Sequence, residues 1–342
     1  MTKRKKKQSA RHAALVATCF GLGLVLVMLL AGTVYAEYLL GSMKYVDKNS
    51  TSPSLSLEDA WAMLETEEYD PNYTGSTMNE EDVDLGDGAD VTIGGNGIVN
   101  ILLIGADYQS VDFARSDSMI LCTFNTSKNT ITMTSFMRDT YVAIPGYGKN
   151  KLNASYSWGG MSLLKETLEH NFGVQVDGIV EVDFSGFEDL IDLLGGVTID
   201  LNYQEASFIN LKSGSKLSNG VNVLTGTQAL WYARNRGDAA GDFNRTNRQR
   251  VLLNTIIEEY KNSDLTTMMM LLTKALPLIT TDLTKAEIAS YVKDYFPMLA
   301  DCEIVMQRIP IDDGYYQTKI NGMSVLVPDL DKNVQALLDS LT

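Results

Sequence analysis

Five arginines, Arg234, Arg236, Arg245, Arg248 and Arg250, fall within 17 positions of a 342-residue chain whose formal net charge is -15. A guanidinium is a planar fork of five donors that meets phosphate or carboxylate oxygens two at a time. Arg245, Arg248 and Gln249 are spaced i, i+3, i+4, which puts them on one face of a helix. Arg234 and Arg236 stand two apart and point together only from an extended segment. Acidic partners within the block are sparse, Asp238 and Asp242 alone. An anion site therefore explains the block better than a salt-bridged solvent face. Upstream, Asp107 ends one apolar run and Asp117 precedes the next. Two carboxylates at adjoining strand ends suit a hard cation such as magnesium, which takes one or two carboxylates together with substrate phosphates. Arg138-Asp139 closes a third run at the same expected sheet edge. No Ser/His/Asp set is available, because His12 lies ahead of the first apolar span and His170 reads as a helix-end or surface residue.

The elements that must hold these side chains follow from periodicity. Residues 98–107, IVNILLIGAD, form a continuous apolar run, the pattern of a strand buried on both faces. Runs 118–125 and 130–137 flank the polar turn 126–129 and read as a hairpin. Met161, Leu164, Leu168 and Phe172 are at helical spacing, with Gly173 as the stop. Residues 178–184 and 197–201 read as strands. Ser185 with Glu188 and Thr225 with Gln228 are capping-box pairs, the first opening a helix that Gly195-Gly196 closes. A longer helix covers about 243–260. In the tail, 266–279 reads as a Met-rich apolar helix broken near Pro277. Thr284 with Glu287 opens another helix, 302–311 is a strand and 333–341 a final helix. Alternating strands and helices predict a layered α/β/α domain around a central mixed sheet.

The N-terminus predicts where that domain sits. Residues 1–12 carry six basic residues and no acid, and 13–36 carry no charge. Twenty-four residues make a helix of about 36 Å, enough for a hydrocarbon core of about 30 Å. This run exceeds the ~7–15 residues of a signal-peptide core, so it reads as an uncleaved anchor with its basic end in the cytoplasm. Removing the six basic residues from the formal -15 leaves -21 beyond the span, which argues against nucleic acid or an anionic bilayer as a bulk partner and leaves room for a small, local basic site. Residues 37–96 read as an extracellular, acidic, solvated spacer, and 97–342 as the catalytic domain, with a core over 100–260 and an extension over 261–342. Cys122 and Cys302 lie in apolar runs and read as buried free thiols rather than a disulfide.

Taken together, ILLIGAD (101–107), ARSDSM (114–119), SFMRDT (135–140), KLNASYSWGG (151–160), VDFSGFEDLIDLLGGV (182–197), LTGTQALWYARNR (224–236) and DFNRTNRQR (242–250) resemble the LytR-CpsA-Psr family of membrane-anchored cell-wall proteins. The resemblance implies a phosphotransferase on the outer face of the cytoplasmic membrane, in an envelope of the Gram-positive type. It would move a glycopolymer, such as wall teichoic acid or capsular polysaccharide, from undecaprenyl pyrophosphate to peptidoglycan. A phosphodiester forms, typically at a muramic acid 6-hydroxyl, and the lipid leaves as its monophosphate. Asp107 and Asp117 then match the acids linked to magnesium, or manganese in its place. Arg138 matches the arginine of the S-x-x-R-D-T motif. Arg234, Arg236, Arg245 and Arg248 match the pyrophosphate-binding arginines and Gln249 the polar residue beside them, while Arg115 and Lys151 match further motif positions. Two departures stand out: Phe136-Met137 replaces the usual Ile-Pro, and Arg250 replaces a second glutamine, which takes Arg250 out of the expected site.

Preorganised cations are the chemistry that splitting a pyrophosphate needs, because charge develops on bridging and non-bridging oxygens. Asp117 and Asp139 are the candidate bases. A polyprenyl tail needs an apolar groove, for which the helix faces 163–168 and 187–194 are candidates. A hydrolase using the same residues, and a non-catalytic lipid-pyrophosphate-binding regulator of the envelope, are the competing readings.

Overall fold

The structure, a computed structural model, describes residues 36–48, 77–95, 97–107, 115–235, 242–261, 273–295, 298 and 301–342. The chain divides into two compact units, Met1–Met43 and Lys44–Thr342. In the first, the described part is a helical turn over 36–41. The expected span at 13–36 lies, apart from Ala36, outside the described residues. Among the described residues no helix is long and apolar enough to cross a membrane.

The described residues of the second unit form fourteen strands. They are β1 (Lys44–Tyr45), β2 (Thr77–Met78), β3 (Ile98–Asp107), β4 (Arg115–Asn125), β5 (Thr130–Phe136), β6 (Tyr141–Ile144) and β7 (Gly148–Lys151). The rest are β8 (Gly178–Asp183), β9 (Val197–Leu201), β10 (Gly220–Leu224), β11 (Ile279–Thr281), β12 (Glu303–Ile309), β13 (Tyr315–Ile320) and β14 (Met323–Pro328). The main helices are α1 (Leu152–Phe172), α2 (Phe184–Leu193), α3 (Tyr203–Ser213), α4 (Gly226–Arg234), α5 (Asp242–Lys261), α6 (Lys285–Tyr295) and α7 (Leu330–Leu341).

A seven-stranded mixed sheet in the order β1-β11-β8-β3-β4-β5-β12 forms the centre. β3 is paired on both edges, parallel to β8 and antiparallel to β4, which is what its unbroken apolar run requires. Alternation sends Leu102, Ile104, Met119 and Leu121 to one face, where they meet Leu164, Leu168 and Phe172 of α1 and Leu337 and Leu341 of α7. Ile120, Cys122 and Met133 face the other way, against Leu253 and Ile257 of α5. Each such side chain contributes about 1.5–3 kcal/mol on burial, and the two faces together make the layered architecture the periodicity predicts. A third cluster joins Ile191 of α2, the β9–β10 pair, Ile209 of α3, Tyr232 of α4 and Leu252 of α5.

Several expectations need correction. The stretch 77–95 is not a solvated spacer. Val83, Leu85 and Ile93 are core residues at 1%, 7% and 0% exposure, β2 pairs with β13, and Ile93 N–H donates to the Gly173 carbonyl at 2.7 Å. The cap of α2 is Asp183, whose carboxylate accepts from Gly186 N–H at 2.6 Å, rather than Ser185. Among the described residues β9 pairs only with β10, outside the central sheet. Helix α1 begins at Leu152 and breaks at Gly159–Gly160, where Gly160 takes φ 62, ψ -151, a region closed to side chains with a Cβ. Leu163, Leu164 and Leu168 belong to the core and form no groove. Residues 266–272 of the Met-rich run lie outside the described residues, and Leu276–Leu278 is a short 3-10 turn leading into β11. The capping boxes at Thr225/Gln228 and Thr284/Glu287 are formed. Cys122 is a free, buried thiol and Cys302 is buried as well.

Candidate functional site

The end of β5 carries the first half of the site. Thr140 closes a turn on Met137, its N–H and hydroxyl both donating to the Met137 carbonyl. The first N–H groups of α1 need partners outside the helix. Leu152 and Asn153 find them in the carbonyls of Thr140 and Arg138, at 2.8 and 3.2 Å. This ties the Arg138–Thr140 turn to the start of α1 and to Lys151, which caps that helix from the end of β7. As a result, Arg138 Nε stands 3.4 Å and Lys151 Nζ 3.2 Å from the Asp139 carboxylate. Burial alone would raise the Asp139 pKa. Arg138, Lys151 with its hydrogen bond, and Arg245 outweigh burial and hold the carboxyl below its ordinary range. Three cations thus converge on one carboxylate, which makes a local positive field in an acidic protein.

The second half lies along α4 and α5. Arg245, 2% exposed, enters from the first turns of α5. Arg234 ends α4, where a cation also complements the helix dipole. Its guanidinium carbon lies 4.7 Å from the Phe184 ring centroid and 5.4 Å from that of Trp231. Contacts of this kind are worth up to about 2 kcal/mol when desolvated. Between these helices and the sheet runs a cavity of about 660 Å³, well within the ~300–1,000 Å³ of ligand pockets. Its walls are apolar: Leu103, Ile120 and Val180 from the sheet, Phe187 and Leu190 from α2, Leu230 from α4, Leu253 and Ile256 from α5. Among the described residues its polar lining is Ser118, Lys212, Arg234, Arg245 and Gln249, with the indole of Trp231. α2 and α4 can meet this closely because Gly226 faces the Glu188 carbonyl, where any Cβ would collide.

Arg248 points elsewhere. Its Nε donates to Glu205 Oε1 at 2.8 Å and its Nη1 to the Asn235 carbonyl at 2.9 Å, with both charged side chains buried. Arg250 donates to the Gln307 carbonyl at 3.0 Å, a structural contact that agrees with its exclusion from the site.

The profile of the LytR_cpsA_psr family matches residues 66–339. The chain belongs to this family. It is 34% identical over 217 residues to the polyisoprenyl-teichoic acid–peptidoglycan teichoic acid transferase TagU of Bacillus mycoides, covering 63% of this chain and 69% of that protein. It is 38% identical over 167 residues to the regulatory protein MsrR of Staphylococcus aureus, covering 49% of this chain and 50% of that one. The chain thus spans about half the length of MsrR. Among solved structures, Bacillus subtilis YwtF (TagT) with bound octaprenyl pyrophosphate lipid aligns with a TM-score of 0.57 at 26% identity, over 76% of this chain and 98% of that one.

Against the family motifs, the structure of this LytR-CpsA-Psr member brings Arg138, Lys151 and Arg245 together around Asp139, and Arg234, Arg245 and Gln249 together in the cavity. Arg245 is common to both groups. It does not bring Arg248 to them. Asp107, Arg115 and Asp117 are described as strand positions only. Asp107 pairs with Arg115, and the ladder shifts between Gly105 and Ala106 so that Asp117 is the extra residue of a β-bulge. Arg236 lies outside the described residues. Sequence reasoning missed Lys212, Phe184 and Trp231. The i, i+3 spacing of Trp231 and Arg234 was the available signal for the last.

Proposed function

We propose that the chain is a transferase that moves a glycopolymer from a polyprenyl pyrophosphate to peptidoglycan through a phosphodiester. The observation that carries this reading is a single cavity with apolar walls whose polar lining is mainly cationic. That combination fits one class of ligand, a long hydrocarbon with an anionic head. The likeness to TagT with octaprenyl pyrophosphate and to TagU supports it.

In this mechanism the tail lies among Leu103, Val180, Phe187 and Ile256, and Arg234, Arg245 and Gln249 receive the pyrophosphate. An acceptor hydroxyl, of the muramic acid 6-hydroxyl type, attacks the sugar-linked phosphorus. The bond from that phosphorus to the bridging oxygen breaks, and polyprenyl monophosphate leaves. Arg138, Lys151 and Arg245 stabilise the charge that grows on the leaving phosphate. Asp139 is a poor base because its carboxyl is held ionised by three cations, so Asp117 is the better candidate to take the hydroxyl proton. Asp107 and Asp117, at adjoining strand ends, fit the carboxylate pair that magnesium or manganese takes with phosphate oxygens. Such an ion would supply Lewis-acid polarisation of the phosphoryl group. Residues 13–36 would anchor the chain with 1–12 in the cytoplasm and the domain outside.

The test is the release of polyprenyl monophosphate from a lipid-linked glycopolymer with magnesium, with and without peptidoglycan. Release that requires peptidoglycan and modifies it is expected. Equal release without acceptor would make the chain a hydrolase, and tight binding with no release under any metal would make it a regulator. Full activity in an Arg234→Ala, Arg236→Ala double variant would also overturn the reading.

A further inference from the structure

Helix α3 turns one side to the cavity and shows another to solvent. Phe208 and Lys212 line the cavity. Lys212 is itself exposed, so it marks an opening. Its ammonium lies 5.9 Å from the Phe208 centroid and 5.6 Å from that of Trp231. Tyr203, Ser207 and Leu211 follow one another at four-residue spacing and form a single outward stripe. Tyr203 and Leu211 are 77% and 80% exposed, the two most exposed large hydrophobic residues among the described ones. The surrounding charge is also unusual. Residues 206–235 hold no acid and three cations, Lys212, Lys216 and Arg234, in a chain of net charge -15.

We propose that the outward stripe of α3 docks on an anionic phospholipid surface and sets the Lys212 opening of the cavity at the headgroup plane. The inference rests on the lipid-linked donor proposed above. Such a donor resides in a bilayer, and its tail must reach the apolar walls without crossing water. An opening flanked by an exposed Leu and Tyr meets that need, since these residues lie at the boundary of headgroups and acyl chains. Lys212 and Lys216 extend their ammonium groups to the phosphates while their stems stay on apolar surface. The one acid of α3, Glu205, is buried against Arg248, so the outward stripe itself carries no carboxylate to be repelled by an anionic leaflet.

The test uses the full chain in phosphatidylglycerol vesicles, with the photocrosslinker benzoylphenylalanine placed singly at Tyr203, Leu211, Val292 or Met306. The last two are exposed apolar controls on α6 and β12, at 55% and 44%. Phospholipid adducts are expected at 203 and 211, at severalfold higher yield than at 292 and 306, and fewer when phosphatidylcholine replaces phosphatidylglycerol. Equal yields at all four positions, no lipid adduct at 203 and 211, or a cross-linked protein dimer there would overturn the proposal. A second variant, Leu211→Glu, should lower turnover of bilayer-embedded donor severalfold while binding detergent-solubilised octaprenyl pyrophosphate as the parent does, and unchanged turnover counts against docking. Failure of the parent chain itself to bind octaprenyl pyrophosphate would instead refute the transferase reading, and the cross-links would still decide the docking surface.

Discussion

Arg248 and Glu205, 43 residues apart in the chain, form a buried ion pair with Nε and Oε1 2.8 Å apart. The pair joins α5 to α3 and holds the Asn235 carbonyl at the end of α4. Removing one partner of such a pair leaves an uncompensated buried charge, which costs about 3–5 kcal/mol. Arg248→Ala should therefore lower thermal stability by that order, whereas Arg248→Met with Glu205→Leu recovers most of it. Thermal denaturation followed by circular dichroism checks this. A variant that keeps the parent's stability but loses prenyl pyrophosphate binding would return Arg248 to the anion site.

The cavity makes a chain-length prediction. Ile256→Trp should fill space that an isoprenoid tail needs. Losing contact with two methylenes, at about 0.8 kcal/mol each, weakens binding about tenfold. Titration calorimetry should show that loss for octaprenyl pyrophosphate and little change for a short-chain pyrophosphate. Equal losses for both would place the tail elsewhere.

Asp139 predicts acid lability. Its folded pKa is depressed, so it adds stability above its unfolded value of about 3.9, and that stability is lost as pH falls through the folded value. Glu287, paired with Lys48 at 2.7 Å, behaves the same way with a pKa lowered to about 2. Its part is lost between about 4.3 and about 2. Urea midpoints measured from about pH 6 to about pH 3 should fall, with the slope reduced in Asp139→Asn. An unchanged slope in that variant would mean that Asp139 titrates normally.

Burial pushes the Cys122 thiol up to about 12. The thiolate is the reactive form, so iodoacetamide at about pH 8 should leave Cys122 unmodified in the folded chain and alkylate it only at the rate of unfolding. Mass spectrometry of native and urea-treated protein decides the point.

The sequence revealed what is local. β3, the β4–β5 hairpin, the Thr225/Gln228 cap and the spans of α5 and α7 follow from alternation, capping and helical spacing within short windows. The Arg138-Asp139 and Arg234 to Gln249 segments were legible for the same reason. The missing parts depend on partners far away in sequence. Nothing near Arg248 shows that Glu205 will neutralise it. Val83 and Leu85 look like spacer residues until β13 and β14 provide the surface that buries them. Helix α3 was missed because it buries little of itself, though Asn202 and Glu205 form a capping box that signals its start. The β13–β14 hairpin was open to reading. Asn321-Gly322, with φ of 51° and 83°, is the dipeptide that primed turns favour.

The pairing of β2 with β13 also constrains how the domain forms. Thr77 meets Lys319, and Lys44 meets Thr280, so both early strands wait for partners made more than two hundred residues later. Ribosomes deliver the N-terminal end first, so the unit cannot close before β13 and β14 have been made. Until the last strands arrive, Val83, Leu85 and the edge of β2 have no place to pack. This is a high-contact-order closure, slow by nature, and it makes the β13–β14 hairpin the step on which the domain's completion depends.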